Sequence, residues 1–287
     1  MKGAGDVTPS NFRGFCAMNG SIRDFYDNLA DSYHLIGVDW DQVMRHQGQV
    51  LSSVIVKILR AGGPFRIYDC SCGIGTQAIG LAQEGHSLHA SDLSPKAVAQ
   101  AKSNAARFGV KIDFQTADFR DLSRIAGLYD VVISCDNSLP HLETEAEMLT
   151  ALRELQSKLE VAGLLLFSIR DYDQILEEKP CGMLPRTIED QQGKRIYFQT
   201  WEWVKDQPIY DVNLFIVQQI DGAWETKSFR TRYRAWRQSE LTTLMNEAGF
   251  TEIRWLNPEE SGYYQPIAVA MKRSDLEHAA RKISEGR

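Results

Sequence analysis

The stretch Ile67-Tyr68-Asp69-Cys70-Ser71-Cys72-Gly73-Ile74-Gly75-Thr76-Gln77 constrains the fold of this sequence more than any other. A short apolar run ends on an acid, and two glycines follow just before a helical pattern. Glycine there permits dihedrals that a side chain forbids and lets a ligand approach the backbone. The same order recurs downstream: strand patterns at 66–69, 87–91, 112–117, 130–135 and 164–169 are separated by crossovers long enough for parallel pairing. Ser94-Pro95 reads as a helix start, a capping hydroxyl followed by a residue suited to the first turn. That helix carries Val98, Ala101, Ala105 and Phe108 and stops at Gly109. Upstream, Val43, Val50, Leu51, Val54, Ile55, Ile58 and Leu59 recur at helical spacing before Gly62-Gly63-Pro64, a helix expected to cover one sheet edge.

Beyond residue 173 the pattern changes. Arg195–Val204, Ile209–Ile220 and Trp224–Trp236 are β-rich, broken at Gln207-Pro208 and turned at Asp221-Gly222, which predicts three antiparallel strands. A helix with Leu241, Leu244, Met245 and Ala248 ends at Gly249, and Thr251–Leu256 and Ile267–Met271 return to the main sheet. The expected fold is α/β, a Rossmann-like, doubly wound, seven-stranded and mostly parallel sheet with a three-stranded antiparallel insert after the fifth strand. The expected organisation is a flexible tail over 1–20, a core over 21–173 and 237–272, the insert over 174–236 and a charged tail over 273–287.

Lys plus Arg total 32 against 38 Asp plus Glu, a formal net charge of -6, so no broad positive field gathers phosphates and nucleic acid is not an expected partner. Arg230, Arg232, Arg234 and Arg237 cluster on a strand expected to face solvent. No apolar run approaches the ~20 residues of a membrane helix, and MKGAGDVTPSNFRGF lacks a signal-peptide core. A cytoplasmic protein without a membrane partner is therefore expected. Five cysteines at irregular spacing argue against a disulfide framework. Cys70, Cys72 and Cys135 lack paired Cys-x-x-Cys spacing, and no metal is expected.

Strand ends in such sheets face the ligand crevice. Asp92, 23 residues after Asp69, ends the second strand, where a carboxylate can accept two hydrogen bonds from a ribose diol. Gly73-Ile74-Gly75-Thr76-Gln77-Ala78 also fits the degenerate dinucleotide pattern, so a nicotinamide-dependent oxidoreductase is one reading. Two features favour S-adenosylmethionine. Asp69 stands four residues before Gly73 and is followed by a wider loop than a pyrophosphate turn uses. Asp118, ending the third strand, can accept from an adenine amino group, with Phe119 offering backbone contact; a strand-end cap is the alternative for Asp118. Cys70, Leu93 and Cys135, at the ends of the first, second and fourth strands, complete the expected lining.

On these residues the chain resembles the glycine and sarcosine N-methyltransferases and their small-molecule relatives, class I S-adenosylmethionine-dependent enzymes. The likeness runs from about Phe25 to Lys272. It rests on Phe25-Tyr26-Asp27-Asn28-Leu29-Ala30, the Asp69–Gly75 loop, Asp136-Asn137-Ser138-Leu139-Pro140-His141-Leu142, Ile169-Arg170-Asp171-Tyr172-Asp173 and Phe229–Arg234. The resemblance implies that Arg170 holds a substrate carboxylate, that Asn137 lies beside an amine, and that tyrosines of the N-terminal segment and insert line the site.

Displacement at a sulfonium has an excellent leaving group and needs mainly alignment, which supplies up to ~7–11 kcal/mol. Asn137, His141 and Tyr172 are the candidates near the acceptor. A turn-packing role serves His141 as well, and an ion pair with Asp171 or Asp173 is the alternative for Arg170. Tyr26 and Tyr33, seven apart on one helix face, can close over cofactor and substrate or simply pack. Arg45 is a candidate for the methionine carboxylate, with a solvated helix face as the alternative. Of the insert aromatics, Tyr233 is taken as a site residue, facing a developing ammonium, and Tyr197, Trp201 and Trp203 as core. The expected partner is a small methyl acceptor, bearing nitrogen or else oxygen, sulfur or carbon. A cofactor-binding protein without turnover is the non-enzymatic alternative. The tail and the β-rich insert are the stretches that offer contacts for a homo-oligomer.

Overall fold

The computed structural model describes residues 21–37, 39–190 and 193–273. The expected tail over 1–20, with Cys16, and residues 274–287 of the tail expected over 273–287 lie outside the described residues. The chain opens with α1 (Ile22–Leu29), a 3-10 turn (Ala30–Leu35) and α2 (Trp40–Leu59). Strands and helices then alternate: β1 (Arg66–Asp69), α3 (Thr76–Gln83), β2 (Ser87–Asp92), α4 (Pro95–Arg107), β3 (Asp113–Thr116), β4 (Tyr129–Ser134), α5 (Glu145–Ser157), β5 (Leu159–Ser168) and α6 (Tyr172–Glu178). An antiparallel run follows, β6 (Gly182–Asp190), β7 (Gly193–Trp203), β8 (Ile209–Ile220) and β9 (Ala223–Arg234), before α7 (Gln238–Glu247), β10 (Phe250–Leu256), α8 (Pro258–Ser261) and β11 (Ile267–Lys272).

The main sheet has the order β10-β11-β5-β4-β1-β2-β3. The five strands from β5 to β3 are parallel, and β11 runs antiparallel between β10 and β5. Strand order reverses between β1 and β4, so the crevice at their carboxyl ends is where this topology places a ligand. Local chemistry agrees: the Ser94 hydroxyl accepts from the Ala97 amide to cap α4, with Pro95 in its first turn.

Helix α2 departs from expectation. Met44, Leu51, Val54 and Ile55 share a buried layer with Ile67, Val131, Ile133, Leu164, Leu166, Ile267 and Val269, so α2 covers a face of the sheet and not an edge. It does so by lying against α3: a Cβ on Gly48 falls 2.4 Å from the Gly80 carbonyl carbon, and one on Gly80 falls 2.4 Å from the Met44 oxygen.

The insert holds a fourth strand, β6, beside the three expected. Pro185 within it reads as a loop signal, yet β6 is an edge strand, where a missing N–H leaves no gap in the ladder. The β8–β9 hairpin turns at Asp221 (φ 49°) and Gly222 (φ 82°), the left-handed pair that a two-residue loop requires. Tyr197, Leu214 and Ile216 of this sheet pack on Phe25, Leu29 and Leu35. The buried Arg195 side chain pairs with Asp190 and donates to the Leu35 and Gly37 carbonyls. Insert and N-terminal segment thereby close over the carboxyl ends of β1 and β4. The arginine cluster is only partly free in solvent: Arg230 and Arg232 both bind Asp211, and Arg234 stacks 3.6 Å over the Trp236 ring.

Candidate active site

A cleft of about 730 Å³, counted out to its mouth, opens where the topology predicts, lined by the loop after β1 and the ends of β2 and β4. Nine of the residues expected around the cofactor line it: Tyr26, Tyr33, Cys70, Gly73, Leu93, Asp92, Asp118, Phe119 and Cys135. Gly73 (φ 52°) faces open space, leaving its backbone approachable. Asp92 Oδ2 accepts from the Gly73 amide at 2.8 Å and Oδ1 from the Ser94 amide at 2.9 Å. Each oxygen retains a lone pair for a diol. Burial pushes the Asp92 carboxyl above its ordinary value, against those two amide bonds.

Charge in the cleft discriminates between the nucleotide readings. Asp92, Asp118 and Asp136 line it, and its guanidinium, Arg120, is bound to Asp118 at 2.7 Å and Glu147 at 3.0 Å. Burial holds His141 neutral, its pKa lowered to about 3. Such a lining suits a sulfonium cation and repels a pyrophosphate, so the residues fit S-adenosylmethionine and not a dinucleotide.

Three expected cofactor residues stand elsewhere. Arg45 is exposed on α2 and does not line the cleft, because the buried face of that helix is the one that carries Met44 and Leu51. Gly75 (φ 94°) caps α3 and shapes the loop; a Cβ there falls 2.8 Å from Ile79 Cδ1. Asp69 is buried behind the loop, where Oδ1 accepts from the Ser71 amide and Oδ2 has no partner. Burial pushes its pKa up to about 8. Asp118 lines the cleft, but Arg120 and its own amide occupy the carboxylate, so adenine meets an ion pair and not a free acid. Burial raises the Asp118 pKa, and the Arg120 bonds outweigh it to hold the group below its ordinary value.

A second cavity, about 1820 Å³ out to solvent, adjoins the first and shares Tyr26, Tyr33 and Asp136 with it. Asn137, Arg170 and Tyr233 line it, as expected of an acceptor site, and so do Tyr197 and Trp201, which sequence had assigned to the core. Arg170 Nη1 donates to Tyr210 Oη at 2.8 Å and Nη2 to Gln199 Oε1 at 3.4 Å, and the guanidinium lies over the Trp201 and Tyr233 rings at 4.9 and 5.1 Å. Its alternative acid partners are engaged elsewhere: Asp171 caps α6 and Asp173 pairs with Arg237. The Arg170 amide donates to Asn137 Oδ1 at 3.1 Å, which leaves the Asn137 Nδ2 buried without a partner.

Tyr172 is fully buried, its hydroxyl 3.1 Å from that of Tyr210, and lines neither cavity; α6 turns it inward behind Arg170. His141 lines the first cavity, with its Nδ1 against the Arg232 carbonyl and its Nε2 against the Tyr26 hydroxyl. Arg120, Gln77 and Asp136 were not read from sequence as site residues. Each depends on partners made near only by folding, although Asp136 sits beside Asn137 in the quoted motif.

A family model described as a methyltransferase domain matches residues 67–163. A glycine/sarcosine/dimethylglycine N-methyltransferase of Actinopolyspora halophila is 32% identical over 236 residues, spanning 82% of this chain and 38% of that protein. A magnesium-protoporphyrin O-methyltransferase of Synechocystis sp. is 31% identical over 232 residues, spanning 79% of this chain and 81% of that protein. The chain spans 38%, 54% and 56% of the length of three glycine/sarcosine-type relatives. In fold it is similar to an amino pentose methyltransferase from Micromonospora echinaspora solved with S-adenosylmethionine, with a TM-score of 0.66 at 15% identity over 84% of this chain and 95% of that one. Glycine loop, acidic cleft and relatives agree: the chain belongs to the S-adenosylmethionine-dependent methyltransferases.

Proposed function

We propose that this protein transfers a methyl group from S-adenosylmethionine to the amine of a small acceptor that also bears a carboxylate, an amino acid or a natural-product intermediate. The observation that carries the reading is Arg170, a guanidinium aimed into the second cavity with neutral partners and no carboxylate within ion-pair reach among the described residues. A half-buried cation with no counter-ion of its own leaves charge for a ligand to complement, and a planar fork suits a carboxylate in two bonds. The free Asn137 amide hydrogens add a donor beside it. Asp92 and Gly73 hold the nucleoside, and Tyr26 and Tyr33, shared by both cavities, border the path between methyl donor and acceptor. The cofactor supplies an activated methyl on a positively charged sulfur; the chain supplies alignment and exclusion of water.

Mass spectrometry of reactions with S-adenosylmethionine and a panel of amines, phenols and carboxylic acids tests the reading. A mass gain of one methyl on an amino acid, with Arg170→Met raising the acceptor KM, supports it; methylation of phenols alone contradicts it. Transfer to oxygen is the second reading, favoured by one comparison, the O-methyltransferase relative of which this chain spans 81%. The same panel separates the two.

A further inference from the structure

Asp136 is the carboxylate common to the linings of both cavities. It stands two residues past the end of β4, and it and Asn137 hold consecutive left-handed backbones, φ 57° and 66°. Asp and Asn are the non-glycine residues that adopt this conformation most readily. Here Ser168 fixes both: its hydroxyl accepts from the Asp136 amide at 2.9 Å and its carbonyl from the Asn137 amide at 3.2 Å.

The side chain is equally constrained. Oδ1 accepts from Tyr263 Oη at 2.6 Å and Tyr264 Oη at 2.8 Å, and Oδ2 from Gln77 Nε2 at 2.7 Å. All three donors are neutral, and no Lys, Arg or His lies within ion-pair distance of Asp136 among the described residues. A carboxylate offers about four lone-pair sites, so at least one remains for an N–H from the junction. Two ammonium groups are available there, that of the acceptor and that of the cofactor's methionine.

We infer that Asp136 is a specificity-determining residue that binds the acceptor's ammonium group, opposite in sign to Arg170. The inference rests on the amine-methyltransferase reading. The ammonium binds Asp136 and releases one proton to water. The freed nitrogen lone pair then forms the N–C bond as the S–C bond breaks with its pair remaining on sulfur. The product nitrogen is again cationic and stays on the same carboxylate until release.

The test uses the amine that wild type methylates with the highest kcat/KM. Asp136→Asn keeps shape and removes charge; acceptor KM is expected to rise about 10- to 100-fold, with kcat changed less and S-adenosylhomocysteine affinity within about threefold of wild type. Unchanged acceptor KM overturns the inference, as does a loss confined to S-adenosylhomocysteine affinity, which would assign the carboxylate to the methionine ammonium. If Asp136→Asn does not fold, Asp136→Gly carries the test: it removes the same charge and suits the left-handed backbone at φ 57°, and an acceptor KM that does not rise overturns the inference. Wild type that methylates no amine removes the function reading and this one together; turnover of an amine with an unaffected Asp136→Asn removes this one alone.

Discussion

The hydroxyl of Tyr26 donates to Nε2 of His141 at 2.8 Å. The direction follows from the other ring nitrogen, which faces the Arg232 carbonyl at 3.1 Å and must carry the proton. Helix α1, the turn after β4 and strand β9 therefore meet at one neutral imidazole. His141→Phe leaves the Arg232 carbonyl without its side-chain partner and takes one partner from the Tyr26 hydroxyl, which keeps Tyr233; this lowers stability by about 1–3 kcal/mol. Calorimetric melting checks this, and kcat should fall with it, since Tyr26 loses its orientation. Because burial lowers the His141 pKa to about 3, wild-type activity between pH 5 and pH 8 should not follow its titration.

Asp69 predicts a stability trend of definite sign. Its folded pKa is raised to about 8 from an ordinary value of 3.8, so between these pH values the folded chain holds a proton that the unfolded chain has lost. Stability from this group is greatest below pH 3.8 and falls as pH rises towards 8. Asp69→Asn resembles the protonated acid and lacks that loss. Its stability relative to wild type, from urea midpoints, should be greater at pH 8.5 than at pH 5; a difference independent of pH contradicts the assignment.

Gly48 and Gly80 set the approach of α2 to α3. Gly48→Ala drives a methyl into the Gly80 backbone, which cannot rotate aside, and is expected to destabilise by about 1–3 kcal/mol. Thermal unfolding measures it, and an unchanged melting temperature argues against the packing.

Arg45→Ala is the complementary control. The side chain is exposed outside the cleft, so cofactor affinity by titration calorimetry should stay within about twofold of wild type. A tenfold loss would restore Arg45 to the site.

Legibility in the sequence followed how local each signal is. The Asp69–Gly75 loop, the Ser94-Pro95 cap and the Asp221-Gly222 turn each depend on backbone chemistry within a few residues, and each is where sequence placed it. Strand β6 is hard to read from sequence because it contains Pro185, which a strand tolerates only at an edge. Asp136 drew no role of its own, since its partners Tyr263 and Tyr264 stand 127 and 128 positions away. Asp118 was taken for a free acid because nothing in Asp118-Phe119-Arg120 says that the arginine will fold back onto it. Arg45 was misplaced because periodicity tells which residues share a helix face, not which neighbour that face meets, and Tyr172 because a place just past a strand end does not fix which way the side chain turns.

Asp92 and Gly73 form the proposed nucleoside cradle. Isothermal titration of S-adenosylhomocysteine into wild type and Asp92→Ala tests it. Wild type should bind, and the variant, stripped of both ribose acceptors, should lose about 100-fold or more in affinity, in line with two charge-assisted hydrogen bonds. Equal affinity in the two proteins, or no binding to wild type, would contradict the site.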